Sequence, residues 1–336
     1  MKHYTIPVFI PELACPFQCI FCNQKKITDT LRIPSRQEII NIFDSHLSSI
    51  DWKNSHVEIG FFGGNFTGIE ISEQKRLLGY SAEYLKSGMV RSVRVSTRPD
   101  YIDMERLELL ADFGVKTIEL GAQSMCDDVL AASGRGHKAA DTERASGMIL
   151  GAGFSLGLQM MVGLPADDTE KSVFTARRIT ELGASCTRIY PALVIRDTKM
   201  EELYYNGKYK PLSLEEAVRR TKEVYKIFEE NNVQIIRVGL HPSEGLLDGS
   251  AFIAGPFHIS FRELVLSDIW RDVFMAMDKS SAPDRRRVIL HVPEGQINYA
   301  AGYNASNKNY LLEFFSEVKF RTDNSLKGRE YYADYC

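Results

Sequence analysis

Between residues 4 and 240, short β-branched or apolar runs alternate with helical patterns, the signature of repeated β–α units on a parallel sheet. Strands are expected at 5–10, 57–62, 92–96, 117–120, 155–162 and 187–194. Helices are expected near 36–49, 72–86, 103–113, 139–151, 168–182 and 213–231. The last of these has a clear start, because Ser213 followed three residues later by Glu216 forms a capping-box pattern ahead of an amphipathic run. Six strands and six helices predict an α/β fold, an open (β/α)6 partial barrel rather than a closed eightfold one.

Beyond residue 240 the pattern changes. Residues 239–261 are rich in Gly, Pro and Ser and read as a long loop crossing a face, followed by a helix near 261–277 and a linker at 278–286. The tail then shows a strand at 288–292, a short helix, the turn Gly302-Tyr303-Asn304-Ala305, a helix at 306–315 and a strand at 318–321. The expected division is a barrel domain over 1–242, a loop, helix and linker over 243–286, and a small α/β domain over 287–336.

A chain of 336 residues with 44% hydrophobic and 25% charged residues has the balance of a globular protein and not of a disordered one. No run of about eighteen apolar residues occurs, and the start MKHYTIPVFIPEL lacks the parts of a secretory signal, so a cytoplasmic protein without a membrane partner is expected. A net charge of -3 gives no global case for nucleic acid, although a near-neutral total leaves room for a local basic patch such as Arg285-Arg286-Arg287.

Three of the six cysteines, Cys15, Cys19 and Cys22, fall within eight residues, while Cys126, Cys186 and Cys336 are scattered. That is the distribution of a metal or redox site among reduced thiols and not of a disulfide framework. Structural zinc takes four ligands, and the nearest candidates for a fourth, His3 and Asn23, are poorly placed or chemically wrong. Four irons held by three cysteines keep one iron open for a substrate or cofactor. The spacing also departs from the ferredoxin run whose fourth cysteine precedes a proline. A zinc knuckle or unconnected thiols are the alternatives.

The run Cys15-Pro-Phe-Gln-Cys19-Ile-Phe-Cys22, directly after a strand and with Phe21 before the last cysteine, resembles the radical S-adenosylmethionine (radical SAM) superfamily. The resemblance implies a 4Fe-4S cluster on Cys15, Cys19 and Cys22, with the amine and carboxylate of S-adenosylmethionine (SAM) on the open iron. It also implies reductive cleavage to a 5'-deoxyadenosyl radical and an electron donor such as flavodoxin or ferredoxin. Phe62-Gly63-Gly64-Asn65 after the second strand is similar to the family's glycine pair, which lets backbone approach the SAM amine; the family often has Glu where Asn65 stands. Gln123, Arg135 and Gln159 match SAM-contacting positions, and Arg suits a carboxylate because its planar fork donates two hydrogen bonds. Without the resemblance these residues read as a tight turn, buried amides and a surface charge.

Three further stretches, Ser96–Tyr101, Ile118–Ser124 with Arg135-Gly136-His137, and Arg188–Thr198, resemble the radical SAM domain of the catalytic subunit of Elongator. The similarity covers residues 5–242 and implies chemistry on a tRNA base, with Arg98, Asp100, Tyr190 and Arg196 toward the substrate. The structural alternative is that Arg98-Pro99-Asp100 caps the next helix. The family's acetyltransferase domain is not expected here, since 94 residues follow position 242 and such a domain needs about 150.

The tail gives a separate indication. Strand, helix, Gly302-Tyr303-Asn304-Ala305, helix and strand is the minimal order of an RNA-binding KH fold, in which Gly302 and Asn304 would meet nucleotide backbone. The alternative is a small α/β cap. Three functions follow: a radical SAM enzyme on tRNA or other RNA, one on a small molecule, as in oxygen-independent coproporphyrinogen oxidase, or a catalytically silent cluster protein that binds RNA or senses redox state.

Overall fold

A computed structural model of the chain describes residues 2–10, 19–23, 32–277 and 287–335. The expected linker at 278–286, with Arg285 and Arg286, lies outside the described residues, as do Cys15 and Cys336. Two compact units are present, Met1–Ser213 with Val224–Phe257, and Leu214–Glu223 with His258–Cys336.

The first unit alternates strands and helices: β1 (Lys2–Ile10), α1 (Arg36–Ser49), β2 (Ser55–Gly63), α2 (Ile71–Gly79), α3 (Ala82–Lys86), β3 (Ser92–Thr97), α4 (Met104–Asp112), β4 (Val115–Gln123), α5 (Asp127–Ala132), α6 (Ala139–Gly151), β5 (Ser155–Val162), α7 (Thr169–Glu181), β6 (Cys186–Pro191), β7 (Val194–Ile195) and α8 (Lys199–Tyr205). Helix α9 (Leu214–Glu230) begins where Ser213 and Glu216 predict, and β8 (Gln234–Val238), α10 (Glu244–Leu247) and β9 (Phe252–Ala254) follow it. Local chemistry sets several helix starts. Ser35 and Glu38 make a reciprocal capping box on α1, and Asp103, Asp168 and Thr198 accept from the third backbone N–H of α4, α7 and α8. The cap on α4 is therefore Asp103 and not Asp100.

Among the described residues, seven strands in the order β1-β2-β3-β4-β5-β6-β8, all parallel, curl into the half-barrel that the alternation predicts. That is one strand more than expected. β8 interleaves Gln234 and Arg237 with Ile235, Ile236 and Val238 and is half-exposed, so its apolar signal is diluted. The expected strand 187–194 divides after Pro191; β7 leaves the sheet to pair antiparallel with β9, which lies inside the expected loop. Leu193 and Ile195 pack with Leu246 and Phe252, fastening this returning segment over the ends of the strands.

The second unit contains α11 (Phe261–Ala276), β10 (Arg287–Val292), α12 (Ile297–Ala301), α13 (Ser306–Leu311), β11 (Glu317–Thr322) and β12 (Tyr332–Tyr335). β10 is central, parallel to β11 and antiparallel to β12, a strand the sequence reading missed. Trp270, Phe274, Val288, Leu290, Leu311 and Val318 form its core. The turn between α12 and α13 needs its glycine: Gly302 has φ +84, and a Cβ there would stand 2.6 Å from the Asn307 backbone nitrogen. Tyr303 N–H donates to Ser267 Oγ on α11 at 2.9 Å, while Asn304 is exposed.

Candidate active site

The carboxyl ends of parallel strands converge where loops are free to carry chemistry. In the first unit those ends enclose a cavity of about 1260 Å³, lined from β1 and the cysteine loop, from the ends of β2 to β6, and from β8 with residues 240–244. It is a single open bowl, large enough for a cofactor and a second molecule.

One wall carries two of the three cysteines expected as sulfur ligands, Cys19 and Cys22. Cys19 is buried and Cys22 half-buried, and Cys22 N–H donates to the Cys19 carbonyl at 3.0 Å, so the two share a tight turn. Two backbone bonds hold that turn, from Ile20 N–H to Ser133 O and from Met200 N–H to Ile20 O. Phe21 packs beside Leu164 and Met200 and lines the cavity. The Cys126 thiol is half-buried, and burial pushes its pKa up, which disfavours the thiolate form a metal ligand needs.

Opposite the turn, Gly63 leaves β2 with φ +133, and a Cβ there would fall 1.8 Å from the Ile10 carbonyl oxygen, so only glycine fits. Gly63 and Gly64 line the cavity. Gln123 ends β4 with φ 68, a left-handed conformation that turns the chain at the rim. Arg135 is 6% exposed; it donates to Cys19 Sγ at 3.4 Å and to Gly121 O at 2.5 Å. Gln123 Oε1 and Arg135 Nε are buried in the cavity wall and have no hydrogen-bond partner among the described residues. A buried acceptor and a buried donor left open are costly unless a polar ligand meets them. They therefore fit a zwitterionic amino-acid cofactor beside a thiolate-bound cluster. Gln159 lines the floor, donating weakly to Ser96 Oγ and Glu119 Oε2.

Four other predicted residues point elsewhere. Asn65 is buried, and its Oδ1 accepts from Thr97 Oγ1 at 2.7 Å, tying β2 to β3 without lining the cavity. Arg98, expected near substrate, is fully buried and does not line the cavity; it donates to both Asp100 oxygens at 2.9 Å and to the Arg135 carbonyl at 2.9 Å. Arg98 and Asp100 thus hold the loop that presents Arg135. Arg196 is exposed and donates to Ser250 O at 2.9 Å, away from the bowl. Of the substrate-side candidates, Tyr190 lines the cavity, and burial raises its hydroxyl pKa. Gly302 and Asn304 belong to the second unit.

The sequence reading overlooked a row of charges on the inner face. Glu58, Arg94, Glu119, Arg188 and Arg237 come one from each of β2, β3, β4, β6 and β8, with the already expected neutral Gln159 on β5 between them. Arg94 joins Glu58 (2.8 Å) to Glu119 (2.7 Å), and Arg188 grips Glu119 with two bonds of 2.6 and 3.0 Å. Burial alone would raise the Glu119 carboxyl; the guanidinium bonds outweigh it and hold the pKa below its ordinary value. The readable signal was a charged residue inside an otherwise largely apolar strand, as Glu58 is in β2, Arg94 in β3 and Arg188 in β6. His3, His56 and Glu58 cluster at the far end of β1 and β2. Glu58 Oε1 already accepts from Thr5 and Arg94 there, so that carboxylate is engaged within the protein.

Comparison with known proteins agrees with this geometry. The Radical SAM superfamily model matches residues 10–176, and the Radical_SAM C-terminal domain model matches residues 184–271. The chain belongs to the radical SAM superfamily. Binding of a 4Fe-4S cluster and of SAM is characteristic of that superfamily. The radical SAM chain is 27% identical over 209 residues to an uncharacterised protein of Methanocaldococcus jannaschii, covering 61% of each. It is 28% identical over 192 residues to the tRNA uridine(34) acetyltransferase of the same organism, covering 51% of this chain and 36% of that one. The chain thus spans less than two thirds of the length of either relative. The structure of the archaeal Methanocaldococcus infernus Elp3 with an N-terminal deletion superposes with a TM-score of 0.63 at 22% identity, covering 81% of this chain and 63% of that one. At that identity the likeness concerns the fold. Among the described residues no helix is long and apolar enough to cross a membrane.

Proposed function

We propose that this chain is a radical SAM enzyme that modifies a uridine-type base of tRNA. Cys15, Cys19 and Cys22 hold the 4Fe-4S cluster, and Gly63, Gly64, Gln123, Arg135, Gln159 and Phe21 receive SAM. When bound and reduced by a flavodoxin- or ferredoxin-like donor, this pair supplies a 5'-deoxyadenosyl radical. The chain's residues bind and orient. Gln123 Oε1 is placed to accept from an ammonium group and Arg135 to donate to a carboxylate. The returning segment that packs Leu246 and Phe252 on Leu193 and Ile195 limits the access of water. Tyr190 stands on the substrate side.

The observation that carries the reading is the coincidence, in one bowl, of the Cys19–Cys22 turn with the open Gln123 and Arg135 atoms. The tRNA substrate rests on likeness to a tRNA uridine(34) acetyltransferase matched over half of this chain. The test is anaerobic reconstitution with iron and sulfide, followed by incubation with SAM, a reductant and undermodified tRNA. 5'-Deoxyadenosine and a new nucleoside are expected by mass spectrometry. No 5'-deoxyadenosine with any RNA or metabolite fraction removes the enzyme reading; formation of it with a metabolite alone removes the RNA substrate.

A further inference from the structure

We propose that Arg237, with His241 beside it, is a phosphate-binding site at the substrate end of the cavity, taking the phosphate next to the nucleotide under modification. The proposal rests on the RNA reading above and specifies how such a substrate is held.

Arg188 on β6 and Arg237 on β8 are register partners in adjacent strands, and both line the cavity. Like charges side by side on a sheet repel, and one of them needs compensation. Arg188 has it, from both oxygens of Glu119 and from the Phe62 ring beneath its guanidinium at 5.0 Å. Arg237 has none. Among the described residues its hydrogen-bond partner is His241 Nδ1, at 3.3 Å, and it makes no ion pair with Asp197 or Glu244, the carboxylates that also line the bowl. Among the described residues, the last strand of the sheet therefore presents an unmatched positive charge to the cavity.

The contact with His241 fixes the chemistry of the pair. A guanidinium can only donate, so Nδ1 accepts and the ring proton sits on Nε2. Burial, and then the charge of Arg237, lower the His241 pKa, which keeps the imidazole neutral. The pair thus offers one positive charge, the remaining fork of the guanidinium and a neutral Nε2–H donor, a set that matches tetrahedral phosphate oxygens. A uracil base is uncharged at neutral pH. When a nucleotide is extruded from its stack into an enzyme pocket, its phosphates are the anions that travel with it. Arg188 and Glu119 neutralise each other beneath the site, so the anion is drawn to β8 and not to the cluster wall, where Arg135 serves the cofactor.

The test uses the anaerobically reconstituted, SAM-loaded full chain and a fluorophore-labelled tRNA anticodon stem–loop, with anisotropy recorded over a series of KCl concentrations. In Arg237→Gln the plot of log affinity against log salt should lose about 0.7 of its slope, the loss of one single-strand phosphate contact, whereas Arg237→Lys should retain the slope with weaker binding. A measurement on the unsubstituted protein guards against a folding defect. Uridine 5'-monophosphate should displace the stem–loop about tenfold better than uridine. Equal displacement by the two, or an Arg237→Gln slope equal to that of the native protein while RNA still binds, overturns the phosphate site and leaves the RNA reading intact. No RNA binding by the native protein overturns both.

Discussion

Arg135 donates to the sulfur of Cys19 at 3.4 Å. A guanidinium bonded to a cluster thiolate stabilises the reduced, more negative state of the iron–sulfur centre, because charge and hydrogen bond both oppose the added electron's field. Replacing Arg135 by Met should move the midpoint potential of the reconstituted cluster to more negative values, by about 60 mV if the electron's affinity falls tenfold. Arg135→Lys should recover part of the shift. An EPR-monitored redox titration reads this directly, and identical potentials in all three proteins would show that the bond does not survive cluster binding.

Glu119 carries the balance of charge in the floor of the half-barrel. It is 1% exposed and accepts from Arg94 and Arg188, with Gly157 beside it leaving room that a Cβ would fill at 2.8 Å from Glu119 Cγ. Glu119→Gln leaves the Arg188 guanidinium without the carboxylate it grips and Arg94 with Glu58 alone. Breaking a buried charge network in this way costs about 3–5 kcal/mol. Urea denaturation should show a loss of that order, and a change below about 1 kcal/mol would mean that water already reaches the network.

The cysteines make a sharper contrast. Cys19→Ala should abolish retention of iron and the visible absorbance of the reconstituted protein, because two thiolates do not hold a cubane. Cys126→Ala should keep both, since its raised pKa and its packing against the apolar cluster of Val129, Leu164 and Met200 describe a small packing residue. Iron and sulfide analysis decides the matter; loss of iron from Cys126→Ala would reassign the ligands.

Much of the wall proposed to receive the cofactor draws notice in the sequence because its residues sit at strand ends, where their type is unusual for the position. Three clustered cysteines, a glycine pair and a lone Gln stand out against loops and apolar strands. The wall formed by β6 and β8 was not legible in the same way. Arg188 and Arg237 lie within strands, and the charge of Arg237 weakened the apolar run that would have announced β8. Arg98 was misplaced for another reason. Its motif looks substrate-facing, but its partners are Asp100 and the carbonyl of Arg135, a contact 37 residues away that only the fold creates. The break after Pro191 was hidden because Ala192 and Leu193 continue the apolar run into a different sheet.

His137 gives a pH dependence of stability with a definite sign. It is 4% exposed, and among the described residues neither ring nitrogen has a hydrogen-bond partner. Burial, followed by the charges of Arg135 and Arg98, lowers its pKa to about 3. In the unfolded chain the same imidazole titrates near 6.5. Above that value it is neutral in both states and stability does not depend on it; as pH falls from 6.5 toward 3 the unfolded chain takes up a proton that the folded one refuses, so stability is lost on acidification. Between pH 7 and pH 5 the loss from this residue amounts to about 2 kcal/mol. In His137→Gln, which cannot titrate, urea denaturation at the two pH values should show that much less acid sensitivity than the native protein. If the two proteins lose stability equally over this range, His137 is protonated in the fold and the positive loop around Arg135 is more open to water than its burial indicates.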